Sequence, residues 1–81
     1  MMYYVYILQC ADGTLYTGMT NDPEKRLKTH NSGKASHYTA ARLPVCMLYK
    51  EEQPDKSSAL KREHAIKKLS RQQKLLLIAA K

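Results

Sequence analysis

The stretch from Tyr4 to Met19 constrains this chain more than any other. It reads Tyr-Val-Tyr-Ile-Leu-Gln-Cys, then Ala-Asp-Gly-Thr, then Leu-Tyr-Thr-Gly-Met: two β-like runs joined at Asp12-Gly13. Alternation along the first run separates Tyr4, Tyr6 and Leu8 from Val5 and Ile7, which directs the two sets to opposite faces of a sheet. Asp-Gly supplies two residues that tolerate positive φ, as a tight hairpin requires. Such a hairpin predicts Tyr6 and Tyr16 as near neighbours across the ladder, and so two phenols in one place. The second run closes on Tyr16-Thr17-Gly18. A glycine inside a strand weakens it unless a ligand or helix approaches the backbone closely, or the strand simply ends there.

The length of 81 residues predicts one small domain spanning 1–81. Hydrophobic residues at 43% support a modest core and argue against disorder. With no Trp or Phe, the six tyrosines are the only aromatics, so every large ring in the core or site carries a hydroxyl. Cys10 and Cys46 form no CxxC pair, and no His/Cys spacing matches a zinc site. Met1 to Cys10 lacks the charged start of a secretory leader, and no apolar run approaches a membrane span. The expected setting is cytoplasmic, with reduced thiols.

The net charge of +7 is unevenly spread. Residues 1–60 carry seven Lys/Arg against six Asp/Glu, whereas residues 61–81 carry seven against one, a local balance of +6. A concentrated positive surface suits a polyanion such as nucleic acid, and equally describes a solvated helix surface that aids solubility.

Strand one is expected over Tyr3 to about Cys10 and strand two over Thr14 to Met19. A helix follows, with Asn21 or Asp22 as N-cap, Pro23 at the first helical position and Glu24 at the positive end of the dipole. Arg26 and His30 are spaced i, i+4 and project from one face, with Lys28 pointing away. Asn31-Ser32-Gly33 ends that helix. Lys34 to Leu43 reads as a polar loop, Val45 to Tyr49 as strand three after Pro44, and Glu51 to Asp55 as a turn. Gly33-Lys34 is not a P-loop, because Lys28 stands where the upstream glycine belongs and a helix precedes it. A second helix is expected over Ser57 to Leu69, capped by Asp55 or Ser57. A third begins at Ser70, where Ser70-Arg71-Gln72-Gln73 fits a capping box. The order β-β-α-β-α-α implies an α+β fold, a small, mainly antiparallel three-stranded sheet flanked by three helices.

Glu63 does not suit its surroundings. It lies within the apolar stripe Ala59, Leu60, Ile66 and Leu69, where a lone carboxylate is costly unless a cation or hydrogen bonds meet it. It reads either as an ion pair with Lys67 or Arg26, the commoner outcome, or as a metal ligand at the rim of the core. Strand tyrosines are commonly packing residues, Arg26 is commonly a surface residue, and His30 suits a helix end. Together they form a set of two phenols, a guanidinium, an imidazole and one misplaced carboxylate.

In this ordered set the chain resembles a GIY-YIG nuclease domain, from Tyr4 to about Leu69. Tyr4-Val5-Tyr6 stands at the family's first tripeptide and Tyr16-Thr17-Gly18 at its second. Arg26 follows in the next helix, with His30-Asn31 one turn later, and Glu63 falls in the helix that carries the family's metal-binding glutamate. The neighbourhoods of Thr39, Arg42-Leu43-Pro44 and Lys61-Arg62-Glu63 are most similar to the small, stand-alone bacterial branch. Tyr4 replaces the first glycine, Val5 and Thr17 replace isoleucine, and Met19 stands where some members place a lysine.

The resemblance implies a metal-dependent endonuclease that hydrolyses DNA phosphodiester bonds with little sequence specificity, in repair or recombination. Its expected catalytic residues are Tyr6, Tyr16, Arg26, His30 and Glu63. Glu63 would hold Mg²⁺, or another divalent cation such as Mn²⁺, since one carboxylate plus waters and phosphate oxygens suits Mg²⁺. Arg26 would neutralise charge on the phosphate. A tyrosine would position or deprotonate the water, and His30 would pass the proton on. Ionising an unperturbed phenol at pH 7 costs about 4 kcal/mol, and a nearby guanidinium and metal offset that. Either tyrosine suits the role of base. Lys34, Arg42, Arg62 and Lys67 are expected nucleic-acid contacts, with DNA the partner and RNA the alternative. A monomer is expected, with a homodimer as the alternative. Two other functions fit the same residues: a nucleic-acid-binding module without cleavage, and a protein-interaction domain with a basic helical face.

Overall fold

Val5, Tyr6, Ile7 and Leu8 are each no more than 1% exposed. Four buried residues in succession mark a strand covered on both faces, and that strand is central in its sheet. The computed structural model describes residues 2–80. Its elements are β1 (Tyr3–Gln9), β2 (Leu15–Thr20), α1 (Pro23–Asn31), α2 (His37–Ala40), β3 (Cys46–Gln53), α3 (Lys56–Lys67) and α4 (Arg71–Ala79). The strands form an antiparallel sheet in the order β2-β1-β3. Val5 and Ile7 pack with Tyr49, Ala59 and Ile66, and Leu77 and Ile78 of α4 join them. Tyr6 and Leu8 pack on the opposite face with Cys10 and Val45, joined by Tyr16, Leu27, Leu43 and Met47. The sheet is thus covered by α3 and α4 on one face and by α1 on the other. Among the described residues, no helix is long and apolar enough to cross a membrane.

The β1–β2 connection is wider than the two-residue turn that Asp12-Gly13 suggested. Gly13 N–H donates to the Cys10 carbonyl at 2.9 Å, and Cys10 N–H donates to the Thr14 carbonyl at 2.9 Å. Of Asp12 and Gly13, only Gly13 takes a positive φ, of 84°. This is a three-residue hairpin with glycine in the left-handed position. The Asp12 carboxylate favours it by accepting from both the backbone and the hydroxyl of Thr14, at 3.1 and 2.6 Å. The wider loop sets the register: Tyr6 lies opposite Gly18, and Tyr16 lies opposite Leu8. The two tyrosines share a face but stand diagonally, where long side chains still meet.

β3 runs to Gln53, four residues past its expected end at Tyr49. Its charged second half reads as a turn, but β3 is an edge strand, and edge strands tolerate charge. A bulge interrupts it: Tyr49 pairs with Ile7, Met47 pairs with Leu8, and Leu48 has no opposite number. The expected loop 34–43 contains the one-turn α2, too short to carry a periodic signal. Ser36 caps it by accepting from Tyr38 N–H and Thr39 N–H. Four helices therefore stand where three were expected. α3 begins at Lys56 and ends at Lys67, just inside the expected Leu69.

The caps behave as the sequence suggests. Asp22 accepts from Lys25 N–H and precedes Pro23 in α1. Asp55 accepts from Ser58 N–H at the start of α3. Ser70 and Gln73 satisfy each other in a capping box at 3.2 and 2.9 Å. Asn31, the last residue of α1, reaches across to Val45: its amide donates to the Val45 carbonyl at 3.0 Å and accepts from Val45 N–H at 2.8 Å. That pair of bonds fixes α1 against the entrance to β3.

Candidate active site

Tyr6 projects from β1 toward α1 with its ring laid across Gly18. A Cβ at Gly18 would fall on the Tyr6 hydroxyl and come within 2.6 Å of its Cζ. The close approach to this glycine is therefore made by the chain's own tyrosine. The i, i+4 spacing on α1 brings Arg26 and His30 to the same place. Arg26 Nε donates to the Tyr6 hydroxyl at 3.5 Å, and the hydroxyl lies 2.9 Å from His30 Nε2. On the far side of the imidazole, Nδ1 lies 2.9 Å from Thr39 Oγ1. His30 and Thr39 are both fully buried.

Burial pushes the Tyr6 phenol above its ordinary value. The hydrogen bond and charge of Arg26 oppose the rise without cancelling it, and the nearby Tyr16 and Glu63 add to it. Burial, and then the positive charge of Arg26, hold His30 below the usual histidine range, so its imidazole is neutral at pH 7.

Tyr16 stands edge-on to His30 at 5.3 Å between ring centroids and 65° between planes. Its other neighbour is Tyr38 on α2, stacked at 6.0 Å and 25°. The Arg42 guanidinium lies over the Tyr38 ring, 3.9 Å from its centroid. Arg42 also donates to Asp12 at 3.0 Å and to the Tyr38 carbonyl at 2.8 Å. A strand, a short helix and the hairpin loop therefore hold Tyr16 in place, while the tyrosine itself is half-buried.

Glu63 is buried on α3 between Ala59 and Ile66. Its charge reaches the Tyr6 phenol. Lys67 is the ion-pair partner, but its Nζ lies 3.9 Å from the carboxylate and half of its side chain is exposed. Among the described residues the Glu63 carboxylate takes part in no hydrogen bond. Thr17, on the face of β2 turned toward α3, holds a buried hydroxyl with no hydrogen-bond partner among the described residues. A loosely held carboxylate fits a divalent cation that keeps most of its coordination for water and phosphate oxygens. Among the described residues, no group of three or more His, Cys, Asp or Glu side chains is gathered as a metal cage.

Four expected residues thus come together, Tyr6, Arg26 and His30 by hydrogen bonds and Tyr16 by ring contact, while the fifth, Glu63, lies on α3 against the other face of the sheet, with Lys67 as its ion-pair partner. The four expected nucleic-acid contacts fare differently. Lys67 stands beside Glu63, and Lys34 is exposed on the segment after α1. Arg42 is engaged in the Tyr38 stack. Arg62 turns away to β3, donating to Glu51 at 2.8 Å. The Glu51 carboxylate also accepts from Tyr49 at 2.5 Å and Gln53 at 2.7 Å. Arg62 therefore ties α3 to β3, and its charge is already matched. Sequence reasoning missed Thr39 and Tyr38 as site residues. Their one local signal was Ser36, whose cap creates the helical turn that aims both of them.

Two tyrosines from adjoining antiparallel strands, an arginine from the first helix and a glutamate from a later one are the parts expected of a GIY-YIG catalytic domain. The chain belongs to the GIY-YIG family, whose catalytic domain matches residues 2–75. It is 53% identical over 75 residues to a UPF0213 protein of Streptococcus sanguinis, covering 93% of this chain and 86% of that one. It is 54% identical over 80 residues to a UPF0213 protein of Clostridium perfringens, covering 99% and 86%. The solution NMR structure of the UPF0213 protein BH0048 from Bacillus halodurans superimposes with a TM-score of 0.65 at 43% identity, covering 100% of this chain and 86% of that one.

Proposed function

We propose that the protein is a divalent-metal-dependent endonuclease that hydrolyses DNA phosphodiester bonds with little regard to sequence. The observation that carries this reading is the convergence of Tyr6, Tyr16, Arg26 and His30, with the loosely held Glu63 on the adjoining α3.

Tyr16 is the residue that positions the attacking water. It is half-buried, and its hydroxyl forms no hydrogen bond among the described residues. Tyr6 has the opposite character: its hydroxyl is committed to His30 and Arg26, and burial opposes its ionisation. Tyr6 therefore orients Arg26. With Nε donating to Tyr6, the terminal nitrogens of Arg26 remain for the non-bridging phosphate oxygens, which a guanidinium fork matches in geometry. Glu63 holds the cation, which when bound supplies Lewis-acid stabilisation of the phosphate and the departing oxygen. His30, fully buried, acts by holding Tyr6.

Nicking of supercoiled plasmid in the presence of Mg²⁺ tests the reading. Open-circular product from the wild type is expected. Arg26→Ala and Glu63→Ala should each lose about a hundredfold or more of the rate, the usual loss on removing one group that stabilises transition-state charge. Tight, salt-sensitive binding without nicking, or equal nicking by Glu63→Ala, would sink the enzyme claim.

A further inference from the structure

A continuous run of contacts passes through the interior of the site. It goes from Arg26 Nε to the Tyr6 hydroxyl (3.5 Å), from that hydroxyl to His30 Nε2 (2.9 Å), from His30 Nδ1 to Thr39 Oγ1 (2.9 Å), and from Thr39 Oγ1 to the Ser36 carbonyl (3.3 Å). Each middle group, taken alone, can donate or accept. The two ends cannot: a guanidinium only donates, and a carbonyl only accepts. Fixed ends of opposite sense give the whole run one direction. Arg26 donates to the Tyr6 oxygen, Tyr6 O–H donates to Nε2, Nδ1–H donates to Thr39, and Thr39 O–H donates to Ser36. The reverse tautomer points Nε2–H at an oxygen that already accepts from Arg26. It strands the Tyr6 hydrogen in a buried site and draws the Thr39 hydrogen away from Ser36. Only the first arrangement uses every donor in this dry interior.

We infer that Thr39 is a positioning residue: it fixes His30 as the Nδ1–H tautomer, so that His30 receives the Tyr6 hydrogen and leaves the Tyr6 oxygen facing Arg26. The one-turn α2 thereby sets the placement of a guanidinium on a different helix, with which it shares no hydrogen bond among the described residues. The effect on phosphate cleavage rests on the nuclease reading; the tautomer does not.

Long-range ¹H–¹⁵N spectra of the ¹⁵N-labelled full chain read the tautomer directly. His30 is assigned by difference against His37→Gln and His64→Gln, both exposed positions. The expected result for the wild type is protonated Nδ1 and bare Nε2; protonated Nε2 overturns the inference. Thr39→Val removes the acceptor and should make the Nε2–H form predominate, whereas Thr39→Ser keeps the wild-type pattern. A valine variant that folds with the wild-type tautomer also overturns it. Where the valine variant does not fold, the wild-type and serine spectra decide, and loss of the Nδ1–H form in the serine variant counts against it. In the nicking assay, Thr39→Val should be about tenfold slower, as outer partners that orient a reacting group commonly are, with Thr39→Ser restoring the rate. If no protein nicks DNA but the tautomer is as expected, the nuclease reading fails and the positioning role stands.

Discussion

At position 18 the fold has space for a hydrogen and nothing larger. A methyl group there collides with the hydroxyl end of Tyr6, whose ring is closed in by β2 and α1. Gly18→Ala should therefore destabilise the chain by about 1–3 kcal/mol, the usual cost of overpacking. Urea melts measure it, and the nicking rate should fall further than the stability loss explains, because the displaced hydroxyl carries Arg26 with it. His30 gives a prediction of a different kind. Its folded pKa lies below its unfolded value, so the stability it contributes is complete above about pH 6.5 and is lost as the pH falls through the folded value. Unfolding free energy should decline on acidification from pH 7 to pH 5, before the carboxylates titrate, and His30→Gln should flatten that decline. Tyr6, Arg26 and His30 were legible in the sequence because strand alternation and the i, i+4 rule place them locally. Thr39 was not, because its role depends on a contact nine residues away through a turn with no periodic signature. Nor was the difference in burial between Tyr6 and Tyr16, on which their proposed division of labour rests.

At the level of elements, composition foretold the strands and long helices better than their limits. Asp12-Gly13 announced a hairpin, but the bonds that Thr14 donates to the Asp12 carboxylate favour a wider loop, which sets Tyr16 opposite Leu8 and diagonal to Tyr6. The second half of β3 escaped notice because Lys50, Glu51 and Glu52 resemble a solvated turn. Those residues are strand because β1 offers them a free edge, and because Arg62 meets Glu51. Burial alone would raise the Glu51 carboxyl, but hydrogen bonds from Tyr49, Arg62 and Gln53 outweigh it and leave that group below the usual glutamate range. The capping box at Ser70 was legible in full, since it is written in four consecutive residues. Ser70→Ala should cost about 1 kcal/mol, seen as a lower urea midpoint with an unchanged slope. Arg71 donates to the Gly13 carbonyl at 2.5 Å, so α4 is moored to the hairpin loop as well as to the core.

For the molecule as a whole, the charge balance bears on the proposed binding of a polyanion. Lys61, Arg62, Lys67, Lys68, Arg71 and Lys74 lie on or between α3 and α4, the first of which carries Glu63. Lys74 is held below the usual lysine range by burial and then by the neighbouring charge of Lys67, so cations there already crowd one another. DNA affinity should fall steeply with salt, with a slope of about −0.9 per phosphate neutralised. Lys67→Gln should lessen that slope by about one contact while leaving sequence preference unchanged, as filter-binding titrations across a salt series would record. The strand order has one more consequence. Tyr6, Arg26 and His30 meet on the side of the sheet covered by α1, while Glu63 rides on a helix packed against the reverse side. On the proposed nuclease reading, a scissile linkage would straddle the rim formed by the edge strand β2, gripped from layers on opposite faces of the sheet. Slight slippage of one layer over the other would separate the halves of the grip while each stayed intact, so activity should fade on warming some degrees before the chain melts.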